Sequence, residues 1–246
     1  MIVRPVPGGV QLITQPEHAR LARTIMEHHV PLAGQVRRDV ILETIAEHDN
    51  GWAEEDAAPS VNPETGRIYD FVSAPLNVRH RVWPRAVARL EEDPWAAALV
   101  AQHALTIYDR FRCQTEWSSF FAQMEKARAR MVHASGLHPN DLAADYVFLR
   151  LGDLISLTFC TGWTGEQIFD EWTVNCTAGC VVVTSQEPNS RDVSSAAPDV
   201  FDGATIPIEL SIREIRQQVF RSDAELREAL NSARAATLRG EVVGSR

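Results

Sequence analysis

Lysine is almost missing from this chain of 246 residues: Lys126 stands alone, and arginine supplies the rest of the positive charge. A P-loop or Schiff-base mechanism would therefore have to run through Lys126. Its setting, Met124-Glu125-Lys126-Ala127-Arg128, reads as an exposed helix face. Cysteine is scarce and scattered: of Cys113, Cys160, Cys176 and Cys180 no two form a CxxC pair, which argues against a structural zinc site and for reduced thiols in a cytoplasmic protein. The first residues lack the continuous apolar stretch of a signal peptide. No run approaches the roughly 18 apolar residues that span a bilayer. A formal charge of −9 leaves no basic surface for nucleic acid or for anionic lipid. What is present, 45% hydrophobic and 23% charged residues, suits a soluble globular protein that buries a proper core.

The pattern along the chain predicts a mainly α fold. Two short apolar runs around Pro7-Gly8-Gly9 predict an N-terminal β-hairpin. Thr14-Gln15-Pro16-Glu17 fits a capping box, and His18, Leu21, Ala22, Ile25 and Met26 then share one helical face. A second helix is expected from about Arg38 to Asp49, ended by Asn50-Gly51. Residues 53–75 read as a long loop, and helical periodicity returns at about 76–92, 94–111, 116–135 and 139–161. After Gly162-Trp163 the composition turns to Val and Thr at 173–185, then to Ser, Pro, Asp and Gly at 186–204. Short strands are expected at Thr205–Ser211 and Val219–Arg221, and a final helix at Asp223–Arg239 with Ser222 as its N-cap. The expectation is a helical domain over 1–163 and a small β-containing extension over 164–246 packed on it.

Histidine and aspartate stand at telling places on these segments. His18 lies in the first turns of its helix, and His48-Asp49 where the next helix ends. His103 and Asp153 lie inside the most apolar helices of the chain, where an ionised carboxylate is costly unless paired with a cation. Each has an ordinary reading on its own: a histidine on an apolar face is most often a satisfied core residue, and Asp153 has Arg150 three residues away. His28 and His29 read as surface residues at a helix C-terminus, and His133 and His138 likewise.

Their joint order, His18, His48-Asp49, His80, His103 and Asp153, resembles that of the HD-domain superfamily of metal-dependent enzymes. The likeness rests on the stretches around Gln15–Ala22, Ile45–Trp52 and Leu149–Ser156. It implies an HD-like helical bundle over roughly 15–163, in which His18, His48, Asp49 and Asp153 hold a metal ion. His80 and His103 would complete a site for two. The chain is also similar to a bacterial family with LITQxxHA and EHDNGW stretches.

The resemblance implies either of two reactions. One is oxidation of a small polar substrate by O₂ at a diiron site; the other is phosphoester hydrolysis assisted by metal ions. No lysine follows the His-Asp doublet, while Trp52, Trp83, Trp95, Phe148, Phe159 and Trp163 sit near the candidate ligands. The expectation is therefore an oxygenase with two ions, iron ahead of manganese or zinc, with Glu47 and Asp56 as acid/base candidates. A degenerate HD fold acting as a binding module is the third reading, and a homodimer through the extension is compatible with each.

Overall fold

The computed structural model describes residues 1–185, 199–203 and 205–245. Nine helices are present among them: α1 Gln15–Met26, α2 Val30–Ala33, α3 Arg38–Glu47, α4 Ala53–Ala57, α5 Leu76–Arg89, α6 Pro94–Ile107, α7 Ser118–Ser135, α8 Pro139–Thr161 and α9 Asp223–Asn231. The seven strands are β1 Ile2–Val6, β2 Gly9–Ile13, β3 Gln167–Phe169, β4 Trp172–Thr177, β5 Cys180–Ser185, β6 Ile206–Ile215 and β7 Arg234–Ser245.

The fold is not the mainly α bundle with a small β extension that the periodicity suggested. All seven strands join one curled mixed sheet in the order β1-β2-β6-β7-β5-β4-β3. The N-terminal hairpin forms, but β2 pairs antiparallel with β6, Leu12 facing Arg213, so the two ends of the chain share one sheet. Among the described strands only β5 and β7 pair parallel.

β6 is built by strict alternation: Ile206, Ile208, Leu210 and Ile212 are buried, and Pro207, Glu209, Ser211 and Arg213 are exposed, as a sheet with one solvated face requires. β7 departs furthest from its local sequence pattern. Arg234–Arg239, rich in Ala, Leu and Arg, was expected to prolong the last helix, yet α9 stops at Asn231. The segment instead pairs with β6 from Glu214↔Arg234 to Ile206↔Val242. Its helix propensity, a few tenths of a kcal/mol per residue (roughly,), is outweighed by this ladder. Gly240 fixes the register, because a Cβ there would collide with the Gly179 carbonyl and the Phe159 ring of α8. The strand expected at Val219–Arg221 does not form, and α4 occupies part of the expected loop. Most of the Ser/Pro/Asp/Gly stretch at 186–204 lies outside the described residues.

The helices face the sheet through one large core in which α8 is central, with Leu149, Leu151, Ile155, Phe159 and Cys160 fully buried or nearly so. Helices α1, α3, α6 and α8 pack on one another and frame the site. His29, read from sequence as a surface residue, is buried between Phe148, Trp172 and Phe201, where its backbone bridges to Phe201. His28 stays at the surface beside Asp202. No described helix is long and apolar enough to cross a membrane.

Candidate metal centre

Four helices each deliver part of one buried cluster. Thr14 caps α1 by accepting from the Glu17 amide at 3.2 Å, and Pro16 sits in the first turn, so His18 faces inward one turn later. α3 ends at His48, and Asp49 leads into the 3₁₀ turn Asn50–Trp52. That turn lies hard against α5, where a Cβ on Gly51 would strike the Val82 carbonyl. α6 brings in His103 and α8 brings in Asp153. His18, His48, Asp49, His103 and Asp153 are all at most 5% exposed.

The three imidazoles share one orientation. Each has its Nδ1 tied to an outer partner: Ser156 Oγ at 2.8 Å for His18, the Ile45 carbonyl at 2.7 Å for His48, and the Tyr146 hydroxyl at 3.2 Å for His103. Each turns its Nε2 toward the two carboxylates. His18 Nε2 lies 2.9 Å from Asp49 Oδ2; His48 Nε2 lies 3.6 Å from Asp49 Oδ2 and 3.5 Å from Asp153 Oδ1. His103 Nε2 lies 3.8 Å from Asp153 Oδ2. The rings of His18 and His103 stand edge-on to His48, with centroids 5.1 and 5.2 Å away. Fixing one ring nitrogen while the other faces carboxylates is the arrangement of histidines that ligate metals.

The electrostatics point the same way. Burial opposes the charge on Asp49 and Asp153, yet the neighbouring histidines, with Arg150 also beside Asp153, hold both carboxyls below their usual range. Burial also opposes charging His48, but Asp49 and Asp153 prevail and raise it to about 9. Burial dominates at His103 and lowers it to about 3, which keeps this ring in the neutral, ligating form. Arg150 Nη1 bonds Asp153 Oδ2 at 2.6 Å, as the three-residue spacing suggested. Among the described residues Arg150 pairs with Asp153 alone, Asp49 has only the histidines beside it, and His48 Nε2 has no hydrogen-bond partner. One cation among these five side chains would answer both deficits. The cluster contains two overlapping groups able to hold a metal ion: His18, His48 and Asp49, and His48, His103 and Asp153.

The remaining sequence candidates are not brought to the cluster. His80 stacks on Phe120 at 5.3 Å and meets Trp117 edge-on at 4.7 Å. Glu47 is exposed, with Asn50 as its neighbour. Asp56 is buried but pairs with the Met1 amine and accepts from the Gln15 amide at 2.5 Å. It lines a cavity of about 610 Å³ between α1, β6 and α9, away from the histidines. The cluster opens on a separate cavity, of about 340 Å³, which is reached by Asp49, His103 and Asp153 and walled by Trp52, Phe71, Trp83 and Tyr108. Ser156 and Tyr146 escaped the sequence reading. Their places three residues after and seven before Asp153, on one helical face, were the available signal.

Fold and site together define a mixed α/β protein with a buried histidine–aspartate cluster of metal-ligand type. A family described as "Protein of unknown function (DUF3891)" matches residues 1–217, which include every cluster residue, and the chain belongs to that family. No curated protein and no solved structure matches the chain.

Proposed function

We propose that this protein is a metal-dependent enzyme acting on a small molecule held in the 340 Å³ cavity, with His18, His48, Asp49, His103 and Asp153 as the metal ligands. The observation that carries the proposal is the shared pose of the three histidines, Nδ1 anchored outward and Nε2 converging on two carboxylates at a cavity wall. A bound divalent ion supplies Lewis-acid polarisation or, if iron, redox chemistry with O₂. The chain's own residues orient and shield. Arg150 fixes the Asp153 carboxylate, Ser156 and Tyr146 hold two rings in place, and the aromatic walls keep water from the reacting group.

Oxidation of a small polar substrate by O₂ at non-haem iron is our first reading, because a mixed imidazole–carboxylate donor set suits iron and the cavity is aromatic. Phosphoester hydrolysis is the second. Arg79, Arg110 and Arg150 line the same cavity and make good the shortage of lysine. The clustered residues support one ion directly; the second ion of the HD resemblance would need His80, which packs on Trp117 and Phe120 away from them.

Elemental analysis of the purified protein, with electron paramagnetic resonance, tests the proposal. Iron, manganese or zinc at about one or two ions per chain is expected, and Asp49→Ala should lose it. Protein prepared without chelators that contains none of these metals would overturn the reading. A paramagnetic iron signal altered by O₂ favours the oxygenase, and turnover of a generic phosphoester with a redox-silent metal favours the hydrolase.

A further inference from the structure

We infer that the cavity beside the cluster selects a small molecule carrying an oxyanion, a carboxylate or a phosphate group, and that Arg79 and Arg110 are the residues that select it. The inference rests on the metal-dependent reading above and deepens it by naming the substrate class.

Several arginines on the helices around the cavity have carboxylate partners. On α5, Arg81 pairs with Glu55, Arg85 with Glu54 and Glu55, and Arg89 with Glu54. Beyond α6, Arg112 pairs with Asp109 and Glu125. Arg150 is committed to Asp153. Arg79 and Arg110 line the cavity, and among the described residues neither has a carboxylate partner. Their neighbours are aromatic instead. The Arg79 guanidinium lies 5.4 Å from the Trp117 ring and 5.7 Å from Phe111, and Arg110 lies 4.7 Å from Phe111. Stacking of this kind holds the planar group while leaving its N–H edge free to donate.

Unmet hydrogen-bonding groups gather at the same cavity. Arg79 Nε and Trp52 Nε1 are buried donors without partners, and Gln15 Oε1, on a side chain that is almost wholly buried, is an acceptor without one. Buried polar atoms are normally satisfied, so orphans around one cavity mark what its occupant provides. The donors and the two cations ask for an oxyanion. The Gln15 oxygen asks for a hydroxyl or amine hydrogen. The volume, about 340 Å³, lies at the small end of ligand sites. A small hydroxy- or amino-substituted acid or phosphate meets all of these demands, with its anion on Arg79 and Arg110 and its other end toward Asp49, His103 and Asp153.

The test is isothermal titration of the purified, metal-containing protein with inorganic phosphate, with glycolate, and with glycerol as the neutral control. Phosphate or glycolate should bind and glycerol should not, and the better of the two tells phosphate from carboxylate as the recognised group. Arg79→Gln and Arg110→Gln should each weaken that anion by about tenfold or more while the metal content stays unchanged. Should Arg79→Gln misfold for want of its aromatic stacking, Arg110→Gln, at an exposed position, decides the matter. Anions bound no better than glycerol, or bound equally by the Arg110 variant, overturn the inference and leave the metal reading standing. Arginine-dependent anion binding by a protein that contains no metal would instead remove the metal reading.

Discussion

Replacing His29 by leucine should make the protein more resistant to acid, by an amount its surroundings allow to be worked out. The ring is 1% exposed, sits between Phe148, Trp172 and Phe201, and neither of its nitrogens has a hydrogen-bond partner. Burial alone lowers it from the ordinary 6.5 to about 4. The unfolded chain therefore takes up this proton near pH 6.5, and the folded protein does so only near pH 4. As pH falls through that window the unfolded state is favoured, and stability is lost. Each pKa unit is worth about 1.4 kcal/mol. Between about pH 7 and pH 4.5 this one side chain should therefore cost about 2 kcal/mol.

His29→Leu has no such proton to take up and loses no hydrogen bond. Urea unfolding of both proteins at the two pH values checks the difference. The gap between their midpoints should widen on acidification by on the order of 1 M, for slopes of about 2–3 kcal/mol/M. Acid effects on all other groups are common to both proteins and cancel in the comparison. A gap that is the same at both pH values would refute the claim that the imidazole is held neutral in an apolar pocket.

Two further outcomes follow from the cluster and its supports. Tyr146→Phe and Ser156→Ala each release one ligand histidine from its outer anchor, and should lower metal affinity by about 10- to 100-fold in a chelator competition, with the fold intact by circular dichroism. Gly51→Ala forces a methyl group onto the Val82 carbonyl beside Asp49, which should destabilise the protein by about 1–3 kcal/mol and loosen metal binding as well. A thermal melt and the same competition would read both effects.

The helices were legible because each carries its own periodicity: α1 through its capping box and the His18–Met26 face, α8 through a long apolar stretch interrupted by Arg150 and Asp153. The clustered histidines and aspartates were legible for a related reason. Asp153 and His103 stood out as polar groups where a helix has no cheap place for them, and the fold brings both to the cluster. What could not be read was long-range. Nothing local in Arg234–Ser245 says that β6 is waiting to pair with it, and nothing around Gly9–Ile13 says that its partner lies at the far end of the chain. His29 was misjudged for the same reason, since its apolar cage comes from α8, β4 and Phe201. The cavity residues Gln15, Phe71 and Tyr108 gave no signal in one dimension because three separate segments supply them.

The pairing of β2 with β6 also sets a timetable. The hairpin leaves the ribosome well before β6, and the edge of β2 meets its partner only about two hundred residues later. Until then it presents an open row of backbone donors and acceptors, the kind of edge that recruits other chains. The five cluster residues, by contrast, are all made by residue 153. A metal ion could therefore gather α1, α3, α6 and α8 while the sheet is still incomplete, so that loading during synthesis would shorten the time the first strands spend without a neighbour.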